Sequence, residues 1–174
     1  TLQLKGRYTK YQKTLDAFLF CCYAGMRYSD FVNMKPDNIV EMHQETWLIY
    51  KSIKTGTEVR LPLYLLFSGK GILILNKYQA NLQDFFHLRD NSNVNKELII
   101  IARLAGVAKK VSFHTARHTN ATLLIYNGVN ITTVQKLLGH KSVKTTQIYT
   151  NVMDATIISD LEKNHSSVHR KKGK

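Results

Sequence analysis

The sequence predicts an α+β domain, mainly α-helical, with one small three-stranded antiparallel sheet. Three observations predict it. Residues 39–63 carry alternating β-branched and aromatic runs, and Lys54-Thr55-Gly56 supplies a turn between the last two. Elsewhere, apolar residues recur at intervals of three and four between glycine stops. The 174 residues, 44% hydrophobic and 10% aromatic, suffice for one well-filled core and are too few for two large domains.

Residues 11–23 form the first expected helix, because Leu15, Phe18, Leu19 and Cys22 fall at i, i+3, i+4 and i+7. Gly25 ends it, and Met26-Arg27 occupies the turn. Ser29 is the expected N-cap of a short helix that closes before Lys35-Pro36. Strands follow at 39–42, 47–53 and 57–63, with Trp47 expected in the core. The apolar segment 65–75 fits helix and strand equally. Helices are expected at 79–87, at 94–104 before Gly106, and at 115–126 before Gly128. Another spans 132–138, where Val134, Leu137 and Leu138 make the buried stripe and Gly139 the stop. Ser142 is the expected cap of a helix carrying Tyr149. Asp154 caps a last helix with Ile157, Ile158 and Leu161 on its apolar stripe. The domain is expected to span residues 1–165, with 166–174 a flexible basic tail. A first residue Thr1 in place of Met points to a fragment of a longer protein.

Lys and Arg number 25 against 12 Asp and Glu, a formal net charge of +13, which points to a polyanionic partner, most simply nucleic acid. Residues 98–153 contain no Asp or Glu, yet hold Arg103, Lys109, Lys110, Arg117, Lys136, Lys141 and Lys144 with three histidines among them. Ordinary surfaces mix both signs. The same stretch excludes two-metal nuclease chemistry and glycoside hydrolysis at a site built here, since both need clustered carboxylates. Cys21 and Cys22 are adjacent, a poor pair for a disulfide and no metal framework, in keeping with a reducing interior. No apolar run reaches the length of a membrane span and no signal peptide opens the chain, which argues against a spanning or secreted protein.

His114 and Arg117 stand three apart at the start of a helix, on one face and beside its positive end, where an anion would bind. His114 and His118, four apart, could instead hold a metal. Thr115 follows the first histidine where the metalloprotease pattern needs Glu, and no acidic third ligand follows.

Four segments together carry a specific resemblance. Tyr23-Ala24-Gly25-Met26-Arg27-Tyr28-Ser29-Asp30 resembles the first arginine box of the tyrosine recombinases, the phage integrase family, and Lys54-Thr55-Gly56 its β-hairpin lysine. His114-Thr115-Ala116-Arg117-His118 matches the second box, His-x-x-Arg. Leu137-Leu138-Gly139-His140 is similar to the third box, and Tyr149 follows nine residues later, where the family has its nucleophile. The order is right over residues 11–153, and integrases of bacterial conjugative transposons and related mobile elements resemble it best.

The resemblance implies the tyrosine recombinase catalytic-domain fold and a site-specific recombinase that cuts and rejoins DNA through a 3′-phosphotyrosyl bond without metal, ATP or other cofactor. It implies Arg27 and Arg117 as a phosphate clamp, His140 as a further donor, Tyr149 as nucleophile, His114 as its base and Lys54 as the acid for the leaving 5′ oxygen. Asp30 is expected to fix the turn beside Arg27, and His118 to pack or hydrogen-bond within the fold. Double-stranded DNA, a tetramer of the full-length protein on synapsed DNA and a bacterial cytoplasmic, nucleoid-associated location follow from the same likeness. A plain DNA-binding module would explain the charge but not these six residues at these spacings; a type IB topoisomerase shares the chemistry but is less like the Gly-Met-Arg and Leu-Gly-His boxes.

Overall fold

The computed structural model describes residues 3–150. A 3-10 turn at Gly6–Tyr11 leads into helix α1 (Gln12–Ala24), the central element, which packs against four of the other helices. Leu15, Ala17, Phe20, Cys21 and Ala24 on α1 are buried. Gly25 ends the helix in the left-handed region, at φ 69°. A Cβ there would lie 2.7 Å from Asn120 Oδ1 and 2.9 Å from Leu138 Cδ2, so glycine is needed for conformation and for space.

Helix α2 (Tyr28–Val32) follows at once, and its N-cap is Arg27. Ser29 was the expected cap; it lies inside the first turn because the chain is extended at Arg27 and turns helical two residues sooner. Strands β1 (Ile39–Met42), β2 (Glu45–Lys51) and β3 (Glu58–Pro62) form an antiparallel sheet in the order β1-β2-β3. Register pairs Ile39 with Leu48 and Tyr50 with Val59. Leu48, Tyr50, Val59 and Leu61 are buried by the period-two alternation. Trp47, expected in the core, is only half-buried, its ring 6.1 Å from that of Tyr64, because it points to the opposite face from Leu48.

The segment that fitted both helix and strand forms a 3-10 turn (Leu66–Gly69), with Phe67 and Ser68 at positive φ, and then α3 (Lys70–Lys77). Helix α4 (Leu82–Phe86) is shorter than the expected 79–87, because the Asn81 side chain accepts from the Asp84 N–H and starts the helix there. Helix α5 (Asn91–Leu104) starts three residues before the expected 94, with the Asp90 side chain accepting from the Asn93 N–H. Helix α6 (Phe113–Tyr126) opens with a Ser112/Thr115 capping box. Helix α7 (Ile131–Leu138) is capped by Asn130 and stopped by Gly139 at φ 62°. Ser142 caps α8 (Val143–Gln147) as expected, but the helix closes before Tyr149, which lies in the turn that follows. The expected helix from Asp154 and the tail lie outside the described residues.

The core joins α1, α2, α4 and α6 through an aromatic cluster. Phe31 meets Phe85 and Phe86 edge-on at 5.3 and 5.4 Å and lies 6.1 Å from both Phe20 and Phe113. Each fully buried phenylalanine contributes about 1.5–3 kcal/mol relative to exposure. This rigid cluster holds the C-terminus of α1, the start of α2 and the start of α6 against one another.

Candidate active site

The site begins at the backbone break after α1. Arg27 follows the left-handed Gly25 in extended conformation, and its Nη1 donates to Ser52 Oγ at 3.1 Å. The buried Asp30 carboxylate lies 3.6 Å from the same nitrogen and accepts from Ser52 Oγ at 3.2 Å and from the Ile53 N–H at 2.8 Å. Asp30 thus does more than fix its own turn, because it fastens the β2–β3 loop to α2. On the far side of that loop, Thr55 Oγ1 donates to the Gly139 carbonyl at 3.0 Å. Exposed Lys54 stands between these two anchors. Ser52 carried no sequence signal, since a lone serine before a turn is common; only the fold brings it between Arg27 and Asp30.

Helix α6 supplies the next pair. His114 is exposed in its first turn, whereas Arg117, one turn on, is 1% exposed. Arg117 donates from Nη1 to the Gly25 carbonyl at 2.7 Å and from Nη2 to the Leu138 carbonyl at 2.5 Å. The expectation for Arg117 was a place in the phosphate clamp; in the fold part of its fork is already engaged. Two of its N–H donors satisfy the C-terminal carbonyls of α1 and α7, groups a helix cannot satisfy internally. Asn120, a further turn along, donates to the Cys22 and Tyr23 carbonyls. One face of α6 therefore fixes the backbone that carries Arg27 and the corner that carries His140.

Arg27, Lys54 and His114 line a single cleft of about 310 Å³, walled by Asn95 and Ser112 among others. Arg117, His140 and Tyr149 are not in its lining, yet the charge of Arg117 is felt there by His114. Burial, then repulsion from Arg27, pulls the Arg117 guanidinium down to about 10. Burial, then Arg117 and Arg27, lowers His140 to about 4. His114 is lowered by burial first, then by His118, Arg117, Arg27 and Lys54. Both histidines are neutral at pH 7. His140 Nδ1 pairs with Thr146 Oγ1 at 2.9 Å, leaving its other ring nitrogen to face a ligand. Burial raises the Tyr149 phenol while Arg117 and Arg27 pull it down, and the balance leaves it protonated at neutral pH.

Tyr149 is half-buried, with its backbone N–H donating to the Thr146 carbonyl at 3.1 Å. Its ring lies 5.3 Å from that of His118, which in turn meets His114 edge-on at 4.5 Å. Sequence reasoning expected His118 to pack or hydrogen-bond within the fold; it packs against these two rings while staying exposed. Among the described residues, no three His, Cys, Asp or Glu side chains form a group that could hold a metal ion. The arrangement is a cationic, carboxylate-poor pocket with a protonated phenol and a neutral imidazole at its edge.

The family described as the phage integrase family matches residues 6–156. Tyrosine recombinase XerD of Listeria monocytogenes is 50% identical over 155 residues, covering 79% of this chain and 50% of that protein. The chain spans about half the length of most curated relatives that it matches, XerC of Rickettsia bellii (31% identical over 163 residues) among them. The crystal structure of XerA recombinase superposes with a TM-score of 0.66 at 23% identity, over 94% of this chain and 65% of that one. The Tn1549 transposon integrase in complex with circular intermediate DNA gives 0.63 at 14%, over 87% and 58%. At such identities these two structures show the shared fold.

Proposed function

Since the chain belongs to the phage integrase family of tyrosine recombinases, we propose that it is the catalytic part of a site-specific DNA recombinase that cleaves and rejoins strands through a covalent 3′-phosphotyrosyl bond. The observation that carries this reading is the cleft lined by Arg27, Lys54 and His114, where the charges of Arg117, Arg27 and Lys54 all bear on His114 and the Asp30 carboxylate, 3.6 Å from Arg27 Nη1, also holds the loop. Three cations against one carboxylate leave an excess of positive charge there, which favours a phosphodiester.

In the proposed step, Arg27 and the remaining donors of Arg117 take the non-bridging oxygens, and the free ring nitrogen of neutral His140 adds a hydrogen bond. Tyr149 Oη attacks phosphorus while its proton passes to neutral His114. The bond from phosphorus to the 5′ oxygen breaks, and that oxygen takes a proton from Lys54. Attack by another strand's 5′ hydroxyl on the phosphotyrosine reverses the sequence and conserves the ester, so the step uses neither metal nor ATP.

The same proposal takes residues 1–165 as the catalytic domain of a longer protein that clamps double-stranded DNA and assembles as a tetramer on synapsed sites, with the tail beyond it adding phosphate contacts. We place it in the bacterial cytoplasm at the nucleoid, serving integration or excision of a mobile element, a role consistent with its likeness to the Tn1549 transposon integrase. Among the described residues no helix is long and apolar enough to cross a membrane. The test is a nicked suicide duplex carrying a binding site enriched from random sequence by the full-length protein. A covalent complex on a denaturing gel, absent in Tyr149→Phe, is the expected result. Relaxation of a supercoiled plasmid with no paired sites would favour the topoisomerase reading instead.

A further inference from the structure

His118 belongs to none of the roles assigned above, yet it is the residue that joins two of them. It stands one helical turn beyond His114 on α6, so the two rings share a face. The His114 ring meets it edge-on at 4.5 Å and 88°. The Tyr149 ring lies against its other side at 5.3 Å and 60°. Among the described residues no hydrogen bond or ion pair holds the His118 side chain, and it is exposed, so its aromatic contacts are its principal interactions. Tyr149 lies outside α8, two residues past the end of a five-residue helix; its half-buried side chain packs against the core, and among the described residues no side-chain hydrogen bond fixes its phenol.

We propose that His118 is a positioning residue for strand cleavage, whose ring is the shelf that holds the Tyr149 phenol within reach of His114 and of the phosphate. The inference rests on the reading of Tyr149 as nucleophile. The shelf acts by shape. Edge-to-face aromatic pairs are geometrically selective, so a planar ring at position 118 restricts the phenol to the orientations compatible with that packing. Its exposure means that the residue can be replaced without opening the core.

Two measurements test it. In the first, this chain is labelled with ε-¹³C tyrosine, and the Tyr149 resonance is identified by its loss in Tyr149→Phe. His118→Ala is expected to shift and sharpen that resonance, and His118→Phe to return it toward the wild-type position. A Tyr149 resonance unmoved in His118→Ala overturns the proposal, whatever the protein does to DNA. In the second, single-turnover cleavage of the nicked suicide duplex is followed in the full-length protein. His118→Ala is expected to slow covalent attachment by a factor of roughly 10–100, as misplacement of a reacting group does, with little change in DNA affinity. His118→Phe is expected to recover most of the rate, and His118→Gln, polar but not aromatic, to recover little. Full activity in His118→Ala, or rescue by Gln and not by Phe, overturns the shelf. If Tyr149→Phe still attaches to DNA, the nucleophile reading fails instead, and the two failures are distinct.

Discussion

Arg117 combines two demands that pull against each other. Its guanidinium is almost wholly buried, and its partners are two neutral carbonyls with no paired carboxylate, an environment that disfavours the charge and moves it down to about 10. Arg117→Ala should therefore fail twice. Leaving the Gly25 and Leu138 carbonyls unpaired costs about 1–3 kcal/mol, visible as a lower Tm. Losing a charge-stabilising donor lowers single-turnover cleavage by roughly 10²–10³. Arg117→Lys should leave the rate nearly as low, because an ammonium cannot span both carbonyls and a phosphate oxygen. A second prediction concerns His140, which titrates near 6.5 when unfolded and about 4 when folded. Between those values the unfolded chain binds more protons than the folded one, so His140 makes stability fall as pH drops from 6.5 toward 4. Below about 4 and above 6.5 its contribution no longer changes. His140→Gln does not titrate, and denaturation midpoints measured across that window should show a shallower acid slope.

At the scale of elements, the decisive contacts are those that hold loops between helix ends. Gly139 sits at φ 62°, and a Cβ there would lie 2.6 Å from Val59 Cγ2, so α7 and β3 touch at this point. Gly139→Ala should lose about 1–3 kcal/mol through strain in the backbone, and should displace both the Thr55 anchor and His140. Thermal denaturation checks the first effect and cleavage rate the second. Adding Val59→Ala should return only the part due to the clash. These contacts also show what the sequence could and could not reveal. The three strands, α7 with its glycine stop and the Ser142 cap were legible because periodicity and capping chemistry are local. So were the boxes around Arg27, His114, Arg117 and His140. Ser29 misled because it is a good cap residue two positions too late. The early starts of α5 and α6 depend on Asp90 and Ser112, polar residues that lie before the apolar pattern begins. The bridge from Arg27 through Ser52 to Asp30, the carbonyl partners of Arg117 and the contact of His118 with Tyr149 join segments far apart in the chain, and no local pattern encodes them. Trp47 was misplaced because a large aromatic suggests burial, whereas the strand's alternation decides which face it occupies.

For the molecule as a whole, the net charge of +13 and the carboxylate-free segment serve one chemistry. In the proposed mechanism, charge on the attacked phosphate is met by guanidinium and imidazole groups fixed to helix ends, so cleavage by the full-length protein should proceed at an undiminished rate in excess EDTA. Loss of cleavage restored by a single divalent metal would mean that the phosphate is held differently. DNA affinity, by contrast, should fall steeply with salt, with a slope near 0.9 per phosphate neutralised. The central claim is that Tyr149 becomes covalently joined to DNA, and its position makes this directly measurable. Trypsin releases residues 145–163 as one peptide, in which Tyr149 is the single tyrosine. After trapping on a suicide duplex, nuclease trimming and trypsin digestion, mass spectrometry of the adduct should find the residual 3′-phosphonucleotide on that peptide, with fragmentation placing it at Tyr149. An adduct on any other peptide, or none at all while strands are still cut, would contradict the account.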